Sequence, residues 1–165
     1  MKRGIALFAA ALAFAGAAWA QTTLNVVTAG DQNMVDYVNN YLAPKFEAMN
    51  PGVKVRAVGT GPGDGGSQKI YEKLSAQQKA GNNEWDVDVA VIHQLASATM
   101  VKEKLLMPYR NDVSVGKLVS RDTAKNALGA DVDGYVMPMF HSQVVLAYNP
   151  DVVKNPPSTF DERLT

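Results

Sequence analysis

The chain has 165 residues, carries 16 Lys+Arg against 16 Asp+Glu, and contains no cysteine. That length permits one ordinary domain, or one domain with part of another. Balanced charge speaks against nucleic-acid binding, which draws on a basic surface, and no run of like charges reads as an interaction tail. The absence of cysteine excludes thiol catalysis, thiolate zinc sites and a disulfide framework.

Residues 1–20 have the form of a signal peptide. Lys2 and Arg3 make a basic start, Ile5 to Ala18 is an apolar stretch, and Ala18-Trp19-Ala20 supplies the small residues a signal peptidase accepts. The stretch is shorter than the ~20 residues of a membrane-spanning helix, so cleavage before Gln21 is expected, with export to the bacterial periplasm. Removing residues 1–20 leaves 145 residues with 14 basic and 16 acidic side chains, a net charge of −2.

Leu24 to Thr28 is a short apolar run closed by Gly30 and Asp31 and reads as a buried strand. Met34, Val38, Leu42, Phe46 and Met49 then recur at helical spacing, with Asp31 or Asn33 able to cap the start. Pro44 should kink or divide that helix, and Asn50-Pro51-Gly52 ends it. Val53, Val55 and Val58 make a second strand, followed by a glycine-rich loop from Gly59 to Gly66. Ser67 is placed to cap a helix carrying Ile70 and Leu74 to about Ala80. Val87, Val89, Val91 and Ile92 form a third strand, and Leu95 to Leu105 a third helix.

Strand and helix thus alternate three times, which implies right-handed crossovers and a parallel sheet. A weakly patterned helix is expected around Val113 to Leu128, then two extended pieces, Tyr135 to Phe140 and Gln143 to Tyr148. Pro156-Pro157 marks a connector, and Thr159 to Glu162 has capping-box spacing, so a helix opens near Phe160. The sequence stops within the first turns of that helix, so it reads as the front part of a longer protein.

In an open parallel α/β sheet, ligands gather at the carboxyl ends of the strands. Three loops qualify: Ala29-Gly30-Asp31-Gln32, Gly59 to Ser67, and His93-Gln94. Gly61-x-Gly63-x-x-Gly66 formally matches a dinucleotide fingerprint, with Asp86 downstream. However, it follows the second strand of the unit and is stiffened by Pro62. It is no P-loop either, since no Gly-Lys-Ser/Thr closes it. Its glycines either serve a tight turn with positive φ, or the loop's amides and the Ser67 hydroxyl donate hydrogen bonds to a ligand at a helix N-terminus.

His93 and His141 are the only histidines. A structural role competes with a ligand role for each, and position favours His93, which ends a strand on the proposed edge. No paired metal spacing or Gly-x-Ser-x-Gly elbow accompanies them. Asp131-x-Asp133-Gly is only a fragment of a calcium loop, so neither metal nor cofactor is expected. Trp85 precedes its strand and belongs towards the opposite edge, in a core or surface role.

Several linked pieces carry a family resemblance. They are the opening strand, the Phe46-to-Val55 helix-to-strand passage, Trp85-Asp86-Val87-Asp88-Val89-Ala90 before Leu-Leu-Met-Pro, and Gly134-Tyr135-Val136-Met137-Pro138. Val145-Leu146-Ala147-Tyr148-Asn149-Pro150-Asp151 and Pro156-Pro157-Ser158-Thr159-Phe160-Asp161-Glu162 complete the set. The chain resembles the periplasmic solute-binding proteins of ABC importers, in the extracellular solute-binding family 1 group that includes maltose-binding protein. Phe160 stands where that family usually has Trp.

The resemblance implies a type II periplasmic-binding-protein-like α/β fold of two lobes joined by hinge strands, closing on a solute between them. Residues 21–141 would form an incomplete first lobe, and residues 142–165 the hinge strand and start of the second. Carried over by position, ligand contacts come from Gly30, Asp31 and Gln32, from His93 and Gln94, and from the hinge at Ser142. Asp64 and Ser67 join them from the strand-edge argument alone. The resemblance also implies inner-membrane permease subunits as partners, and a monomer is expected.

The proposed loops carry Asp31 and Asp64 but no Lys or Arg, which a deeply bound anion would normally require. A neutral sugar or polyol fits best, with a polyamine and then a phosphate ester as alternatives. A secreted α/β enzyme and a purely structural role are the competing function classes.

Overall fold

The computed structural model describes residues 21–111, 116–119, 121–140 and 147–159. The first strand, β1 (Thr22–Thr28), has its buried residues in an unbroken run at its end, as a strand covered on both faces should. Strand β2 (Val53–Gly59) and strand β3 (Val89–Val91) flank it, both parallel to it, giving the order β2-β1-β3. The sequence-based strand–helix alternation is therefore borne out, and β1 begins two residues earlier than expected because Thr22 already pairs with Val53.

Successive β1 side chains point to opposite faces. Val27, followed by Ala29, packs with Ile70, Leu74, Met100 and Leu105, which belong mainly to α3 (Gly63–Lys79) and α4 (Gln94–Lys102). Val26 packs on the other side with Val38 and Ala57, joined by Leu42 and Val55. Helices therefore cover the central strand on both sides.

The helix divided by Pro44 is one right-handed run in three parts: α1 (Gln32–Tyr37), a π-helical turn (Val38–Leu42) and α2 (Ala43–Met49). Pro44 has no N–H to give, and its ring would crowd the carbonyl one α-turn back. The widened turn before it relieves that crowding, and the Ala43 N–H reaches back five residues to the Val38 carbonyl.

Three expectations need correction. The glycine-rich loop is shorter than read, because α3 already starts at Gly63 with Pro62 as N-cap, so Ser67 lies inside the helix and does not cap it. Between residues 113 and 128, the described part holds only the 3₁₀ turns Gly116–Leu118 and Asp122–Ala124 and strand β4 (Asn126–Ala127). The Arg110 guanidinium takes the Gly116 and Val119 carbonyls at 3.2 Å each, acceptors that an α-helix would use internally. Strand β4 turns through Leu128 and Gly129, both at positive φ, into strand β5 (Ala130–Asp131).

Thirdly, Tyr135 lies in a turn, its N–H on the Val132 carbonyl at 3.1 Å, and residues 136–140 form no strand. They have no partner strand among the described residues, and a strand without a ladder does not persist. The second extended piece falls mostly outside the described residues, and its described end, Ala147 and Tyr148, is not a strand. The helix expected near Phe160 lies outside them.

Candidate functional site

The register of the sheet builds the candidate edge. Thr28 is level with both Gly59 and Val91, so the three strands finish together. The chain then leaves each strand towards a helix: Gly30-Asp31 into α1, Thr60-Gly61-Pro62 into α3, and Ile92-His93 into α4. The β1 ladder runs one residue further, the Ala29 N–H donating to the Val91 carbonyl at 2.8 Å.

His93 joins two of these junctions. Its backbone N–H donates to the Ser67 Oγ at 3.0 Å, and its Nε2 lies 3.2 Å from the Ala29 carbonyl oxygen. Ser67 is only 1% exposed, so it lies beneath the edge with its oxygen engaged by His93. His93 itself is exposed, as are Gln94, Asp31, Gln32 and Asp64.

Among the described residues, the Asp31 and Asp64 carboxylates have no hydrogen-bond or ion-pair partner, and Asp31, although the N-cap of α1, makes no side-chain cap. Its backbone carbonyl instead accepts from Met34 at 2.9 Å. The Gln32 amide turns along its own helix to Asp36 Oδ1 at 2.9 Å. Gly30 leaves room for Met34, whose Cγ would lie 2.6 Å from a Cβ there. Ser142 and His141 lie outside the described residues.

Three residues have roles at the second junction that sequence reasoning did not assign them. The Thr60 N–H donates to the Thr28 carbonyl at 2.9 Å, and its hydroxyl lies 2.9 Å from the Gly66 carbonyl and 3.2 Å from that of Thr28. Lys69, two residues beyond Ser67, folds back so that Nζ donates to the Thr60 carbonyl at 3.1 Å. A cation therefore does stand at this edge, invisible in the loops because it comes from the second turn of α3. Gly66 is the third: a Cβ on it would lie 1.9 Å from the Gly61 carbonyl oxygen, so only glycine lets the junction rest on the helix.

On the α1 side, Met34, Tyr37, Leu42, Met139 and Phe140 line an open apolar cleft of about 400 Å³. Tyr37 stacks on Tyr41 with ring centres 5.2 Å apart, and Lys45 Nζ sits 3.7 Å from the Tyr41 ring centre. Trp85 precedes β3, at the far end of the sheet from the edge, and is 38% exposed. Asp131 Oδ1 accepts from the Asp133 N–H at 2.9 Å, and Asp133 pairs with Arg110, so the Asp-x-Asp fragment serves its own turn. No cluster of three or more metal-ligating side chains occurs among the described residues.

A parallel α/β sheet with helices on both faces, its strand ends and helix starts sharing one edge, fits a partial periplasmic-binding-protein-like fold. The profile of the bacterial extracellular solute-binding protein family matches residues 31–165, and the chain belongs to that family. A comparison with curated proteins finds no match. The family has a solute-binding role in ABC transport, acts outside the cytoplasm and is generally non-enzymatic.

Proposed function

We propose that the chain captures a small neutral polyhydroxy solute, a sugar or polyol, and delivers it to the permease subunits of an ABC importer. Export through the signal peptide of residues 1–20 to the periplasm, and action as a monomer, belong to the same reading. Residues 21–141 would be the first lobe, and residues 142–165 the hinge and the start of the second, with the solute held between lobes. Gly30, Asp31, Gln32, Asp64, His93, Gln94 and Ser142 would face it, with Ser67 supporting from below.

The observation that carries this reading is the shared finish of three parallel strands, level at Thr28, Gly59 and Val91. Exposed Asp31, Asp64, His93 and Gln94 follow directly from those ends. Two carboxylates without partners among the described residues favour hydroxyl groups and disfavour an anion. Those same carboxylates favour a polyamine as the second reading. Lys69 weighs the other way, since one bond to the Thr60 carbonyl leaves its ammonium charged with two donors, and it keeps a phosphate ester as a further competitor.

Thermal unfolding of the chain with neutral sugars, polyols, polyamines and phosphate esters tests the proposal. A saturable rise in Tm with a neutral polyol supports it, since a ligand at 100 times its Kd adds about 2.7 kcal/mol. A rise confined to phosphate esters refutes the solute class. Turnover of any of them refutes the binding role.

A further inference from the structure

The imidazole of His93 is fixed from two directions. Its residue is the N-cap of α4 in extended conformation, with φ −74° and ψ 153°, and its backbone N–H is given to the Ser67 Oγ at 3.0 Å. Ser67 is 1% exposed within α3, so this anchor moves only if the helix moves. At the other end of the ring, Nε2 stands 3.2 Å from the Ala29 carbonyl oxygen. A carbonyl oxygen offers only lone pairs, so a hydrogen bond here requires the hydrogen on Nε2. A neutral imidazole has a single N–H, which leaves Nδ1 with its lone pair.

We infer that His93 is held as the Nε2–H tautomer and presents Nδ1 as an acceptor, so that the solute group it meets is a hydroxyl or an ammonium. This rests on the reading of the edge as the solute-binding face, and it names what that face selects. The neighbours point the same way. Asp31 and Asp64 carboxylates are acceptors only and have no partner among the described residues. A phosphate or carboxylate oxygen at Nδ1 would set lone pair against lone pair, a mismatch that costs more than a merely missing bond. Ser67 is then a positioning residue: it touches no solute and acts by holding the residue whose ring does.

The test starts with the ligand-free full chain carrying ¹⁵N-histidine. Long-range ¹H–¹⁵N correlations at neutral pH distinguish a protonated ring nitrogen from a bare one and so report the tautomer of His93 directly. The expected result is protonated Nε2 and bare Nδ1, with Ser67→Ala moving the signature towards the mixture of a free imidazole. A merely structural Ser67 would lower stability and leave that signature unchanged. A wild-type ring with the hydrogen on Nδ1, or an averaged ring, overturns the inference.

The second arm titrates sorbitol, spermidine and glycerol 3-phosphate while the Nδ1 resonance is followed. Sorbitol or spermidine should shift it, and His93→Phe should weaken binding of that probe roughly five- to tenfold. Preference for glycerol 3-phosphate overturns the inference. Flat titrations with all three, beside a protonated Nε2, would count against the solute reading while leaving the ring assignment supported.

Discussion

Two adjacent glycines in the first turns of α3 should respond to the same substitution with opposite signs. Gly65 is exposed, and a Cβ built on it meets nothing within 4 Å. Gly65→Ala therefore gains only from reduced chain entropy and better helix propensity, roughly 0.5 kcal/mol. Gly66 is buried, and its added Cβ would lie 1.9 Å from the Gly61 oxygen, 2.8 Å from the Gly61 carbonyl carbon and 3.2 Å from the Ala29 Cα. All three are backbone atoms, so no side-chain rotation relieves the overlap.

To bring the closest contact from 1.9 Å to 3.0 Å, the junction must move by at least 1.1 Å. Forced shifts of that kind cost about 1–3 kcal/mol. The movement also endangers the Thr60 hydroxyl contact with the Gly66 carbonyl and the Lys69 contact with Thr60, each worth about 1 kcal/mol net. Set against the helix-propensity gain, Gly66→Ala should lose about 2–4 kcal/mol. Equilibrium urea unfolding monitored by circular dichroism reads both variants, and the midpoint difference at unchanged slope gives the energy. If Gly66→Ala proved as stable as Gly65→Ala, the packing of the Thr60-Gly61-Pro62 junction on α3 described above would be wrong.

Other perturbations separate structural from binding roles. Asp31→Ala should change stability by no more than about 0.5 kcal/mol, instead of the ~1 kcal/mol of a working N-cap, because the carboxylate makes no cap bond; urea unfolding checks it. Asn39 closes the outer edge of β2, with Oδ1 accepting from the Ala57 N–H at 3.0 Å and Nδ2 donating to the Ala57 carbonyl at 3.1 Å. Asn39→Leu should cost about 1–3 kcal/mol in chemical denaturation and raise self-association in light scattering, since an open strand edge templates pairing.

Glu47 accepts from Lys54 Nζ at 2.7 Å and from the Val55 N–H at 2.9 Å, and these bonds, led by Lys54, hold its carboxyl below the ordinary glutamate range. The unfolded state therefore binds the proton more readily, so the stabilisation is complete above the ordinary glutamate value and is lost as pH falls through the lowered one. Tm measured against pH should fall on the acid side in the wild type and more shallowly in Glu47→Gln. Parallel profiles would refute the assignment.

The three strands, the helices between them and the break at Pro44 were legible in the sequence because each rests on local chemistry. Apolar runs bounded by Gly and Asn-Pro-Gly, a helical apolar stripe and a proline without an N–H act within a few residues. The edge bearing Asp31, His93 and Gln94 was legible for a related reason: strand–helix alternation with parallel crossovers sends every such junction to the same side of a sheet.

What failed depended on contacts beyond the periodicity of the segment itself. The stretch after Val113 has no helix among its described residues because Arg110, earlier in the chain, claims its carbonyls. Tyr135 to Phe140 carries strand-forming residues, yet no neighbouring strand among the described residues gives it a ladder.

By itself, then, the sequence determined the parallel α/β class and the edge at which the strand-to-helix junctions meet. Only the tertiary structure decided how the chemistry is divided on that edge. It put Ser67 beneath the surface under His93, turned the His93 ring onto the Ala29 carbonyl, and brought Lys69 back to Thr60. Those contacts join residues from different strands and helix turns, and nothing in a run of neighbouring residues encodes a distance between segments that meet only when the sheet forms.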